Sequence, residues 1–211
     1  MSHFTCLVIG DNPDEQLEPF SEHIKVPRYK IKDLSEDEII RFMNFYKREK
    51  PKSEVSGLDF EQLYKKFGKD WNGNDWQKDS NGVWIETSQY NPNSKWDWYE
   101  LGGRWAGSIK LKPEIEEFTK PNFSWGWKQS EKEKILSENL CDQAYKSQID
   151  NLNELKPFAV LKDGQWYERG EMGWFAIVSN EKSEEHWDNE IEKLLNDLSD
   201  DTLISMYDCH I

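Results

Sequence analysis

The order of elements in the last third of the chain, set against a strand near its start, constrains the fold most. Phe158-Ala-Val-Leu161, the turn signal Asp163-Gly164, and Gln165 to Glu168 read as a hairpin. Trp174-Phe-Ala-Ile-Val178 reads as a buried strand, a short apolar run rich in β-formers. Ser183 can cap a helix whose Trp187, Ile191, Leu194, Leu195 and Leu198 make one apolar stripe. Asp200-Asp201 then turns the chain into a closing strand, Thr202 to Asp208. At the other end, Phe4 to Ile9 is an apolar, β-prone run stopped by Gly10. This order predicts an α+β fold: a ferredoxin-like antiparallel sheet with helices on one face and a helical insertion.

Between those ends, Asp11-Asn-Pro13 suits the start of a short helix over Glu15 to Phe20. Residues 21–34 are polar and irregular. Ser35-Glu-Asp-Glu38 has the form of a capping box, and Ile39, Ile40, Met43 and Tyr46 continue it as one helical stripe to about Glu49. Phe60, Leu63, Tyr64 and Phe67 repeat the helical spacing and stop at Gly68. Residues 35–68 therefore read as a helical insertion or lid within a single domain spanning 1–211. Val83 to Thr87 and Trp105 to Leu111 are candidate strands, and Ser130-Glu-Lys-Glu133 opens a helix reaching about Ile149.

Charge limits the partners. The chain has 41 acidic and 27 basic side chains, a formal charge of -14. Polyanions and anionic membranes need clustered positive charge, so neither DNA, RNA nor membrane is an expected partner. An anion would need a local basic pocket within this negative field. Eleven Trp, 10 Phe and 8 Tyr supply apolar area that the 36% hydrophobic content does not suggest, which argues against disorder. Cys6, Cys141 and Cys209 lack zinc or CxxC spacing and read as intracellular thiols. There is no Walker A sequence and no GxGxxG, so no ordinary nucleotide fold and no cofactor is expected.

Topology, not spacing, assembles the candidate site. If the first and last strands pair antiparallel, His3 meets His210, and Thr5 and Asp208 share their faces by the two-residue period. Two imidazoles side by side can serve as acid and base. The same His3, Asp208 and His210, with Glu171, could also offer N/O metal ligands, but no metal motif supports this and none is assigned. Phosphate and ring binding falls to Asn91 to Trp105, which packs three Trp, Lys95, Tyr99 and Arg104 around Gly102-Gly103. Lys95, Trp96, Trp98, Tyr99, Arg104 and Trp105 are the candidates there, through stacking and guanidinium–phosphate pairing. Glu168-Arg169-Gly-Glu-Met-Gly-Trp174 repeats the mixture and adds Arg169 and Trp174.

His3-Phe-Thr-Cys6 resembles the His-apolar-Thr-apolar strand of two-histidine phosphoesterases, which cut phosphodiesters without a metal. The second copy departs from that pattern, because only Ile211 follows His210. More widely, five stretches resemble a family of small proteins encoded by tailed bacteriophages. These are Ser2 to Gly10, Asn91 to Arg104, Pro157 to Gly164, Gly170 to Trp174, and Asp200 to Thr202 with Asp208-Cys-His-Ile211. That resemblance implies the cytoplasm of a bacterial host and a role against host defence, with no activity attached. It leads to an expected sequestration of a cyclic or ADP-ribose-type nucleotide messenger, with a homodimer a plausible form. Cleavage of such a messenger by the two histidines is the alternative, and an acidic mimic of a host partner is the third reading.

Overall fold

The apolar, β-prone runs at both ends of the chain form strands of one sheet in the computed structural model. Residues 2–68, 74–173 and 177–211 are described. In chain order the elements are β1 (His3–Ile9), α1 (Pro13–Leu17), β2 (Tyr29–Asp33), α2 (Glu36–Glu49), α3 (Lys52–Val55) and α4 (Phe60–Phe67). β3 (Asn74–Lys78), β4 (Trp84–Ser88), β5 (Trp98–Leu101), β6 (Ile109–Lys110), α5 (Gln129–Ser137), β7 (Leu140–Cys141) and β8 (Gln143–Tyr145) follow. The chain then runs through β9 (Ala159–Lys162), β10 (Gln165–Glu168), β11 (Glu171–Met172), β12 (Val178–Ser179), α6 (Glu184–Asn196) and β13 (Leu203–His210).

Two compact units divide the residues. One comprises Met1–Glu22 and Asn93–Ile211; the other is His23–Pro92. The first carries a six-stranded sheet of order β10-β9-β1-β13-β5, with β8 also on β13. β1 and β13 pair antiparallel, with His3 opposite His210 and Thr5 opposite Asp208, as the sequence predicts. β9 lies parallel beside β1, so the sheet is mixed. A ferredoxin-like sheet would seat the second hairpin strand next to β1; here that strand, β10, is at the edge. The α+β class holds, and the arrangement of the hairpin departs from the expected one.

The sheet is buried on both faces. Leu7, Ile9, Val160, Ile204 and Met206 meet Trp187, Ile191 and Leu195 of α6 on one. Phe4, Cys6, Val8, Ala159, Leu161, Tyr207 and Cys209 meet Leu17 and Trp96 on the other. Each such large side chain contributes about 1.5–3 kcal/mol by leaving water. Ser183 caps α6 through the His186 N–H, and the Trp187 indole donates to the Pro157 carbonyl at 2.8 Å. All three cysteines are buried and free.

The second unit is wider than the 35–68 insertion read from sequence, because it includes the antiparallel sheet β2-β4-β3. Its helices cover that sheet. Tyr64 stacks on Trp76 with centroids 5.5 Å apart, and Phe42 and Phe60 close the same aromatic cluster. The capping box expected at Ser35 is formed, and α4 carries one at Asp59 that was not expected. The box expected at Ser130 is displaced, because α5 already starts at Gln129 behind Lys128.

Three local expectations are corrected. The strand over 105–111 shrinks to Ile109–Lys110, because Gly102, Gly103 and Gly107 take positive φ and coil residues 102–107 into turns. The helix from 129 ends at Ser137, where Asn139 at φ +56° turns the chain into β7 and β8. The helix expected over Glu15 to Phe20 begins at Pro13 and finishes as a 3₁₀ turn, Glu18–Phe20. Much of the expected strand 174–178 lies outside the described residues.

Candidate active site

The face that buries Leu7 and Met206 turns polar toward its far end. There three neighbouring strands present paired residues: His3 and Thr5 on β1, His210 and Asp208 on β13, Trp98 and Glu100 on β5. Paired residues share a sheet face and lie about 5 Å apart, so these six form a grid. The His3 and His210 rings are 4.8 Å apart, edge to face, and Trp98 closes on His3 at 6.3 Å.

Each imidazole is fixed by a carboxylate. His3 Nδ1 lies 2.8 Å from Asp208 Oδ1, and His210 Nδ1 bonds Asp97 Oδ1. An ionised carboxylate only accepts, so Nδ1 carries the proton and a neutral ring keeps its lone pair on Nε2. Neither Nε2 has a hydrogen-bond partner among the described residues. Both side chains are mostly covered, 14% and 12% exposed, which limits the water around them. Asp208 is wholly buried, and its second oxygen accepts the Arg104 backbone N–H at 3.1 Å.

The Gly-Gly pair explains how that loop reaches Asp208. Gly102 and Gly103 have φ of +73° and +58°. A Cβ on Gly103 would stand 2.6 Å from Asp208 Cβ, and one on Gly102 would stand 2.2 Å from Asp142 Oδ2. Two buried carboxylates thus flank the turn, and only glycine fits between them. Asp142 accepts backbone N–H groups from Gly107 at 2.6 Å and Asn122 at 2.5 Å. Burial nevertheless raises its pKa above the usual carboxylate range, against the lowering by those two donors.

Glu100 is the least satisfied member. Its Oε1 is buried without a hydrogen-bond partner. Burial first, then the Asp208 and Asp142 charges, raise its pKa, while His3 pulls the other way. The folded state therefore holds this proton more tightly than the unfolded chain does. The resulting stability is full below the ordinary carboxylate range and is lost as pH rises through the raised value. Glu100→Gln should raise the thermal midpoint by about 1–2 °C near neutral pH and leave it unchanged in acid. A drop near neutral pH in calorimetry would show that the ionised form is the stabilising one.

The other residues predicted from sequence divide into groups. Trp98 is half-exposed beside His3, and Arg104 is exposed, with no ion pair or side-chain hydrogen bond among the described residues. Trp105 is half-buried in the turn, its carbonyl accepting from Ser108. Thr5 is on the right face, but its hydroxyl accepts the Phe158 N–H at 2.9 Å. Trp96 and Tyr99 belong to the opposite face, where the Trp96 indole donates to the Leu17 carbonyl and the rings meet at 4.7 Å. Tyr99 donates to Asp14 at 2.9 Å, and burial followed by that carboxylate pushes its pKa up to about 12. It opens on a cleft of about 720 Å³ lined also by Asp11, Asp14 and Glu15, a poor setting for phosphate. Lys95 is paired with Glu168 at 2.6 Å, and Arg169 Nε lies 3.0 Å from Glu181 Oε1. Trp174 lies outside the described residues.

Sequence reasoning missed Asp97, Glu100 and Asp142. The period-2 rule would have found Glu100 once β5 was recognised as a strand beside β13. Among the described residues no group of three or more His, Cys, Asp and Glu is arranged to hold a metal ion. No helix among them is long and apolar enough to cross a membrane. No family model, no curated protein and no solved structure matches the chain.

Proposed function

We propose that the chain is a metal-independent phosphodiesterase acting on a cyclic nucleotide messenger, with His3 and His210 as its acid–base pair. The observation that carries this reading is two imidazoles 4.8 Å apart, each held at Nδ1 by a carboxylate. That geometry leaves two Nε2 atoms for one substrate. One ring, neutral, takes a proton from the attacking water or hydroxyl as its oxygen bonds to phosphorus. The other, protonated, gives a proton to the leaving oxygen as its P–O bond breaks. Asp208 and Asp97 stabilise whichever ring is charged, and the site ends with the proton count it began with. Within this proposal Arg104 pairs with a phosphoryl oxygen and Trp98 offers a ring face.

Sequestration without cleavage is less well supported. The stacking residues it relied on are divided, Trp96 and Tyr99 being packed on the opposite sheet face and Lys95 paired with Glu168. The phage-like stretches connect the proposal to the cyclic nucleotides of bacterial defence, and the cytoplasm of a bacterial host would be its setting.

Two outcomes test the chemistry. Exhaustive chelation should leave the cleavage rate unchanged, since the imidazoles supply both proton transfers; a rate restored only by added divalent metal contradicts the proposal. Arg104→Ala should raise KM by about 10- to 100-fold, the value of one charge-assisted hydrogen bond. Its melting temperature should stay at the parent value, because the side chain is exposed.

A further inference from the structure

We infer that Trp125 is the nucleobase-stacking residue of this site, and that the loop 121–128 is its base-recognition element. The inference rests on reading the histidine pair as a phosphodiester site. Trp125 is fully exposed, at 102% of its reference area, between Ser124 and Gly126. The loop around it is not loose. Gly103 donates its N–H to the Asn122 carbonyl at 3.0 Å, and the Asn122 side chain donates to the Leu101 carbonyl at 2.9 Å. The Trp127 indole donates to the Gly103 carbonyl at 2.9 Å, and Phe123 packs edge-on against Trp127 at 5.4 Å.

Every other aromatic ring of the loop is thus engaged, and the one large ring left in water is held on an anchored backbone. An exposed indole carried on an anchored backbone offers a large ring face for stacking with little backbone to order on binding. Its place is set by Gly103, the residue that also packs against Asp208 and precedes Arg104. The carboxylate that orients His3, the free guanidinium and the loop of Trp125 therefore hang on a single turn. Charge agrees with this. From Phe118 to Ser130 the chain has Lys120 and Lys128 and no acidic side chain, in a protein of formal charge -14. Lys132 adds its ammonium over Phe123 at 5.5 Å. A phosphate with a flat ring attached suits the Lys120, Lys128 and Trp125 side chains of this loop.

Titration calorimetry of the full chain with adenosine 5′-monophosphate and with ribose 5-phosphate tests the assignment. The nucleotide should bind at least about tenfold more tightly than the base-free sugar phosphate. Trp125→Ala should weaken the nucleotide by about 5- to 100-fold and leave ribose 5-phosphate unchanged, while Trp125→Phe keeps most of the affinity. Equal affinity of parent and Trp125→Ala for the nucleotide overturns the base assignment, and so does equal affinity for the two probes. If Arg104→Ala still weakens both probes in those cases, the phosphate site survives and only the stacking residue is wrong. Binding of neither probe by the parent protein overturns both readings.

Discussion

His210→Ala should lower turnover of a cyclic nucleotide by about 10²- to 10⁴-fold, the usual worth of one positioned proton-transfer group. The affinity for uncleaved substrate should change little, since the imidazole acts on protons that move only in the transition state. His210 is the cleaner of the two histidines to remove. Its partner Asp97 keeps 30% of its side chain in water and tolerates losing the ring. His3→Ala should cost as much in turnover but also in stability. It strips a partner from Asp208, which is wholly buried and would retain only the Arg104 N–H. Single-turnover assays on the two variants, with denaturant melts alongside, separate the effects. Unchanged turnover in His210→Ala would remove it from the chemistry, whatever its geometry.

Gly103→Ala should destabilise the first unit by about 3 kcal/mol, combining a left-handed φ with overpacking. The added Cβ would stand 2.6 Å from Asp208 Cβ and 2.9 Å from Glu100 Cγ. Asp208 cannot give way, because His3 and the Arg104 N–H hold both its oxygens. Activity should fall with stability, since the same displacement moves the carboxylate that orients His3. Gly164→Ala is the matched control: φ is +72° there, but nothing lies within 4 Å of the added carbon. It should cost only about 1 kcal/mol. Urea melts showing equal losses for the two variants would mean that Asp208 does not constrain the turn.

The pairing of the two ends was legible because β1 and β13 carry apolar, β-prone runs, and the order of elements between them makes the first and last strands neighbours. The expected strand order, with the first and last strands antiparallel neighbours, put His3 beside His210. α6 was legible through its unbroken stripe from Trp187 to Leu195, α2 through the capping box at Ser35, and α4 through the helical spacing of Phe60, Leu63, Tyr64 and Phe67 before Gly68. β5 was not, because Trp98-Tyr-Glu-Leu101 has aromatic residues on both faces and no simple alternation of polar and apolar positions. Missing it hid Glu100 and left Tyr99 grouped with the ring- and phosphate-binding candidates, although it packs on the opposite face. The inward turn at 102–107 was hidden as well, since nothing local reveals that two buried carboxylates, Asp142 and Asp208, wait for its N–H groups. β9 beside β1 was lost for a different reason. Hairpin signals give the order of two strands in the chain, not which of them neighbours a distant third.

The assignment of catalysis over mere binding stands or falls on the fate of the ligand. A panel of cyclic mono- and dinucleotides and cyclic ADP-ribose isomers, incubated with the protein and assayed by mass before and after heat denaturation, measures it. Loss of one cyclic nucleotide with appearance of its linear product, in chelator and dependent on His210, is the predicted result. Loss that heat reverses, with no product formed, would contradict catalysis and identify a sequestering protein instead.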